Sequence, residues 1–197
     1  MKQLMSLKAI LWLSLILTAL LFLGACASSF TEKNKLPALV PAEKVELERY
    51  YGRWYVIANI PYSAEKGKVG TYVEYIARPD GKIDDLYFFR KGDFSKKIKQ
   101  WTGIAWVIDT TSNAVWKAQF IWPISFDYLI LATAPDYSWA IVGHPGRDLA
   151  WIFGREATMP EPLYQELLGK LQAQSYDATR VKRVPQFAEQ IGQPGFQ

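Results

Sequence analysis

The chain has 197 residues, half of them hydrophobic and 15% aromatic, with a formal charge of +4. Lys2 and Lys8 lie in an N-terminal segment that we expect to be removed, and taking their two charges from +4 leaves +2. This surplus is too small to indicate nucleic-acid binding. The single histidine, His144, excludes a multi-histidine metal site, and we predict neither a metal nor another cofactor.

Residues 1–25 have the pattern of a secretory signal, with a basic start and an apolar run over Ala9–Phe22. Residues 23–26, Leu-Gly-Ala-Cys, resemble the lipobox of bacterial lipoproteins, which implies cleavage before Cys26 and attachment of lipid to its sulfur. Several acyl chains make a stable membrane anchor. Ala27 after the cysteine resembles lipoproteins sorted to the outer membrane, which implies the periplasmic face of that membrane. The alternative is an uncleaved transmembrane helix, for which the apolar run is short.

Residues 26–41 are rich in Ser, Thr, Lys, Asn and Pro, which is typical of a tether. Residues 42–51 have the pattern of one or two helical turns, ending at Gly52. Beyond that glycine, apolar and polar residues alternate with a period of two, which predicts strands. Turn residues separate eight such segments, at 54–60, 69–78, 82–91, 97–108, 114–120, 126–133, 138–144 and 149–155.

The segment after the last predicted strand changes its period. Leu163, Leu167 and Leu171 recur at helical spacing, so we predict one amphipathic helix at about 160–174. Residues 176–184 are expected to return as a short strand, and the Gly- and Gln-rich residues 185–197 to form a flexible tail. Eight strands and one C-terminal helix predict an all-β domain over 42–184, built as a sandwich or a closed barrel.

Alternating strand directions bring three distant segments to one end of such a barrel: Gly52 with Trp54, Asp136 with Tyr137, and the strand end at Arg155. In order and spacing these segments resemble the three structurally conserved regions of lipocalins, and residues 51–58 resemble bacterial outer-membrane lipocalins and their apolipoprotein D relatives. The resemblance implies an eight-stranded up-and-down antiparallel barrel, the lipocalin calyx. It also implies that Trp54 plugs the closed end and that Arg155 lies across its ring.

An eight-stranded barrel has an interior just wide enough for one small ligand. Strand parity predicts broad aromatic walls interrupted by small alanines, which leaves room for an alkyl chain. The alternative is a filled barrel, because aromatic stripes commonly form core. The predicted inward residues are Val56, Ala58, Ile60, Trp116, Ala118, Phe120, Tyr128, Trp139, Trp151 and Phe153.

The loops at the opposite end of the barrel are rich in basic residues. We predict a head-group rim that contains Lys66, Lys68, Arg90, Lys91 and Arg147. A basic rim above an apolar interior suits an amphiphile with an anionic head. The alternative is an ordinary set of solvated loops.

Together these features predict a membrane-anchored carrier or store for a fatty acid or a lysophospholipid, which needs no catalysis. One alternative is an envelope scaffold whose filled barrel binds a protein partner. Another is an enzyme, for which His144 and Asp148 are the only acid–base candidates. Pairing into a homodimer stays open at this stage.

Overall fold

The computed structural model describes residues 36–197. The predicted signal, Cys26 and tether residues 26–35 lie outside the described residues. Within 36–197, no helix is long and apolar enough to cross a membrane. The α-helices and strands in chain order are α1 (Leu47–Tyr50), β1 (Gly52–Asn59), β2 (Lys68–Ala77), β3 (Ile83–Lys91), β4 (Lys99–Val107), β5 (Val115–Ile121), β6 (Ile124–Thr133), β7 (Trp139–Gly143), β8 (Ala150–Gly154), α2 (Glu161–Ala173) and β9 (Lys182–Arg183). Short 3-10 helices lie at Ala178–Arg180 and Ala188–Gln190.

The eight long strands form a closed antiparallel barrel. Each strand from β2 to β8 pairs with its neighbour in sequence, β8 pairs with β1, and β1 closes onto β2. Short turns permit this order, as between β2 and β3, where Gly81 adopts a φ of +78° that favours glycine. The predicted fold class, an eight-stranded up-and-down barrel with one C-terminal helix, is confirmed.

Two apolar clusters lie on opposite sides of the barrel wall. The first fills part of the interior and includes Trp54 and Phe153. The second lies between the outer face of the wall and α2, which buries Leu167 and Leu171 completely. Because β8 is covered on both faces, all five of its residues are buried instead of alternating. The interior cluster leaves space near one end of the barrel, and α2 covers the outside.

Arg155 holds the closed end of the barrel together. Its guanidinium carbon lies 3.6 Å from the centroid of the Trp54 ring. The same group donates hydrogen bonds to the backbone carbonyls of four residues just before and within β1, which are Arg49, Tyr50, Tyr51 and Arg53. The Trp54 indole N–H in turn donates to the carbonyl of Tyr50 at 2.7 Å. One side chain therefore ties the end of β8 to the start of β1.

The other residues of the predicted motif lie at the same end. Gly52 has a φ of +90°, and a Cβ there would sit 3.6 Å from the Arg155 guanidinium. The Asp136 carboxylate accepts a hydrogen bond from the Ser138 backbone N–H at 2.9 Å. The Tyr137 hydroxyl accepts one from the backbone N–H of Glu46 at 2.7 Å. The three distant segments thus meet at the closed end.

The C-terminal segment fills a gap where β1 and β2 separate. The ladder between these strands uses only Gly52–Tyr55 of β1, and β9 pairs with the next part of that strand. The Gln186 side-chain amide donates to the carbonyls of Val56 at 2.8 Å and Thr71 at 3.0 Å. Pro185 and Gln186, the first residues of the predicted flexible tail, are therefore buried against the barrel, because the gap exposes backbone acceptors that Gln186 satisfies. Residues 187–195 are exposed, apart from the half-buried Gln190.

Candidate functional site

A cavity of about 650 Å³ lies inside the barrel. Small-molecule sites in proteins occupy roughly 300–1,000 Å³. The cavity reaches the surface at the end opposite Arg155, where Tyr62, Trp101 and Ile121 line it and are each more than a third exposed. We call this end the mouth; it is formed by residues 60–67, the start of β4 and the β5–β6 hairpin. Most of the lining is aromatic, so the cavity suits an apolar ligand.

Seven of the ten predicted inward residues belong to the interior cluster. Strand pairing explains their common orientation, because Val56 faces Phe153 across β1 and β8 and Ala118 faces Phe126 across β5 and β6. The cavity is lined by Phe120, Tyr128, Trp151 and Phe153, and the cluster beyond its lining contains Val56, Trp116 and Ala118.

The other three predicted inward residues lie in the outer cluster under α2. Ala58 and Ile60 follow a bulge between Val56 and Ala58, which shifts the register against β8 and turns later residues to the other face. Trp139 is half-buried on the outer side because β7 directs Ala140 and Val142 inward. For these three residues the prediction from strand parity is wrong.

Three tyrosine hydroxyls meet below the cavity. The Tyr128 hydroxyl lies 2.9 Å from the hydroxyls of both Tyr50 and Tyr75. All three side chains are buried, and burial raises the pKa of each well above its usual value, so they stay neutral. Of these three tyrosines, only Tyr128 is among the inward residues predicted from strand alternation. Tyr75 follows from the alternation of β2, whereas Tyr50 lies on α1 before the barrel begins.

Two carboxyl groups line the cavity. Asp85 projects inward from β3 and Glu65 folds inward from the loop before β2; both are 4% exposed. The Glu65 carboxylate accepts hydrogen bonds from the Asn59 amide at 2.6 Å and the Trp151 indole N–H at 3.0 Å. Burial raises the pKa of each acid to about 7. The alternation of β3 around Ile83 and Tyr87 is the signal that places Asp85 inside, whereas Glu65 has no such signal.

Lys68, predicted at the head-group rim, is buried in the barrel wall. Its ammonium lies 3.1 Å from the ring centroid of Trp101 and 3.6 Å from that of Phe89. Burial lowers the pKa of Lys68 to about 8, an effect that the charge of Glu65 opposes. The side chain turns inward because aromatic faces attract a cation that has left water. Lys68 is therefore not available to a head group at the surface.

The remaining rim residues separate into two groups. Lys66 and Lys91 are exposed at the mouth, and Arg90 is half-buried beside them, with its guanidinium 5.8 Å from the ring centroid of Phe94. Arg147 is buried in the β7–β8 turn, where it donates to the carbonyls of Pro145 and Gln174. Arg147 thus fastens that turn to the end of α2.

The predicted acid–base pair lies in the same turn. His144 Nδ1 is 2.7 Å from the Asp148 carboxylate, and the His144 backbone N–H donates to the Tyr176 hydroxyl at 2.8 Å. Neither His144 nor Asp148 lines the cavity. The contacts of the pair therefore lie within the turn and toward the segment after α2.

Comparisons with known proteins agree with this geometry. A family model described as a lipocalin-like domain matches residues 45–186. Temperature-induced lipocalin-1 of Arabidopsis thaliana is 33% identical over 168 residues, which cover 79% of this chain and 86% of that protein. Outer membrane lipoprotein Blc of Escherichia coli K12 is 26% identical over 83% of this chain and 89% of its own length. Apolipoprotein D of Macaca fascicularis is 29% identical over 81% of each chain.

Solved structures support the same fold. Insecticyanin from the tobacco hornworm Manduca sexta superposes with a TM-score of 0.60 at 20% identity, over 78% of this chain and 86% of its own. Lobster apocrustacyanin A1 gives a TM-score of 0.55 at 16% identity, over 79% and 95% of the two chains. With the matching family model, the closed barrel and the residues at its closed end, the chain belongs to the lipocalin family.

Proposed function

We propose that this lipocalin binds one single-chain lipid amphiphile in its cavity and carries or stores it at the outer membrane, on the periplasmic face, anchored by lipid on Cys26. The observation on which this proposal depends is the aromatic cavity of about 650 Å³ that reaches the surface at the mouth. Burial of an alkyl chain provides the affinity, at roughly 0.8 kcal/mol per methylene group. The relatives named outer membrane lipoprotein support the location.

A fatty acid and a lysophospholipid are the two ligand classes that we propose first. Each presents one alkyl chain, and each can leave an anionic group at the mouth, where Lys66 and Lys91 are exposed and Arg90 lies beside them. The cavity favours this carrier over a scaffold with a filled barrel. Catalysis has little support, because His144 and Asp148 lie away from the cavity lining.

The tip of the β5–β6 hairpin supports a position close to a membrane. Ile121, Trp122 and Ile124 are 69%, 83% and 67% exposed, which is unusual for neighbouring large apolar residues. Ile121 also lines the cavity, so the tip and the mouth are continuous. We propose that this tip contacts the lipid surface while the ligand enters or leaves.

Calorimetric titration of a delipidated protein that starts at Ala27 tests the proposal. We expect one-to-one binding at micromolar or lower dissociation constants for both a lysophospholipid and a fatty acid. A Val73→Trp variant places an indole in the cavity and should abolish the binding heat. Leu86→Trp is the matched control, because Leu86 is only half-buried and lies outside the cavity lining. A folded, lipid-free protein that binds neither ligand would refute the proposed function.

A further inference from the structure

We propose, on the basis of the function proposed above, that the cavity selects a lipid bearing a protonated amine, which binds inside the barrel between Asp85 and Glu65. Both carboxyl groups line the same cavity, one from β3 and the other from the loop before β2. This assigns a polar subsite within a cavity that is otherwise mostly aromatic.

Asp85 supplies the main observation. Its side chain is 96% shielded from solvent, and its Oδ1 atom has no hydrogen-bond partner among the described residues. A buried acceptor without a donor costs about 1–3 kcal/mol, more when the group is charged. Because Asp85 lines an open cavity, a ligand is the group placed to supply the missing donor.

Glu65 makes a cation the better donor. It already accepts hydrogen bonds from Asn59 and Trp151, so its position is fixed. Both groups line the same cavity, and the charge of Glu65 adds to burial in raising the pKa of Asp85. A cation between two such carboxylates relieves their repulsion and donates a hydrogen bond to Oδ1 of Asp85. A neutral alcohol can donate the hydrogen bond but leaves the repulsion in place.

The cavity walls are suited to an ammonium group. Tyr62, Tyr75, Tyr87 and Trp101 all line the cavity, and aromatic faces attract cations that have left water. Lys68 shows this preference within the same chain, since its ammonium lies on the rings of Phe89 and Trp101. The Lys68 ammonium has no hydrogen-bond partner among the described residues, so it does not occupy the free oxygen of Asp85.

The wild-type protein gives the first test, by titration with dodecylamine, dodecan-1-ol and dodecanoate at about pH 8. At this pH both acids are largely ionised, and we expect the amine to bind at least about tenfold more tightly than the other two. The preference should shrink at about pH 5.5, where both acids are protonated. The ionisable groups that face Asp85 or Glu65 are Tyr50, Tyr62, Tyr75, Tyr87 and Lys68. Burial keeps the tyrosines neutral throughout this range. Lys68, with a pKa lowered to about 8, gains its charge as the pH falls, which weakens amine binding in the same direction as protonation of the acids.

Asp85→Asn is the second test, with Asp84→Asn as the matched control. Asp84 is the neighbouring residue on β3 and forms an ion pair with Arg78 on the outside of the barrel, at 2.8 Å. We expect Asp85→Asn to bind the amine and the alcohol equally, and Asp84→Asn to keep the wild-type preference for the amine. Equal binding of amine and alcohol by the wild type, or an amine preference that survives Asp85→Asn, would overturn the inference. If dodecanoate binds and the amine binds no more tightly than the alcohol, the proposed lipid-binding function stands but the amine selectivity does not. If none of the three ligands binds, both proposals fail.

Discussion

Asp85→Asn should make the empty protein more stable at neutral and alkaline pH. Burial raises the pKa of Asp85 to about 7, from an ordinary value of 3.8. The unfolded chain therefore releases this proton near pH 4, whereas the folded chain keeps it until near pH 7. Between these values the folded state binds more protons, so the free energy of unfolding falls as the pH rises.

The pKa values give the size of this effect. A difference of about three between the folded and unfolded pKa corresponds to about 4 kcal/mol of lost stability above pH 7. The charge of Glu65 contributes to that pKa difference, so part of the lost stability arises from repulsion between Asp85 and Glu65. An asparagine of similar shape removes the charge, so we expect the variant to gain up to about 4 kcal/mol at pH 8 and little near pH 4.

Urea unfolding of the wild type and the variant between about pH 4 and pH 8 measures this gain. The wild-type free energy of unfolding should decline across the range, and the decline should be much shallower in Asp85→Asn, with the remainder due to Glu65. Asp84→Asn removes a surface ion pair worth at most about 1 kcal/mol and should keep the wild-type slope. An Asp85→Asn variant with an unchanged slope, or with lower stability at pH 8, would refute the reasoning.

Three further predictions concern other parts of the fold. Arg155→Met should lower the free energy of unfolding by about 2–4 kcal/mol in urea, because four backbone carbonyls and the Trp54 ring lose their partner; a loss below about 1 kcal/mol would contradict this. Gln186→Ala should cost about 1–3 kcal/mol and speed amide exchange where β1 and β2 separate, since two carbonyls lose a donor; unchanged exchange there would count against it. Trp122→Ser should leave stability and ligand affinity within error but reduce co-sedimentation of the Ala27-start protein with vesicles, because the side chain is 83% exposed; equal sedimentation would exclude a role for the tip.

Much of the barrel could be predicted because its sequence alternates with a period of two and has turn residues at regular spacing. Seven of the ten residues that this alternation predicts to point inward belong to the interior cluster. The alternation failed at Ala58 and Ile60 because a bulge adds one residue to β1, and because both faces of this strand are buried beyond Val56, so that even the polar Asn59 is 1% exposed. The sequence pattern therefore gave no sign that the strand had turned over.

The chemistry of the cavity was harder to predict than its walls. Lys68 was expected at the surface because lysine is seldom buried, and the three rings that surround it come from strands β3 and β4. Glu65 lies in a loop, where no periodicity fixes which way a side chain points. Asp85 follows the alternation of β3 and so points inward. Because burying a charged group without a partner is costly, an acid at such a position is easily assigned to solvent.

The location of a bound alkyl chain tests the central claim most directly. We would crystallise the delipidated Ala27-start protein with a fatty acid brominated near the middle of its chain and locate the bromine by anomalous scattering. We expect a single bromine peak inside the barrel, among Val73, Phe126 and Phe153, which line the cavity. A peak on the exposed β5–β6 hairpin instead, or an empty barrel in crystals of a protein that binds the lipid in solution, would contradict it.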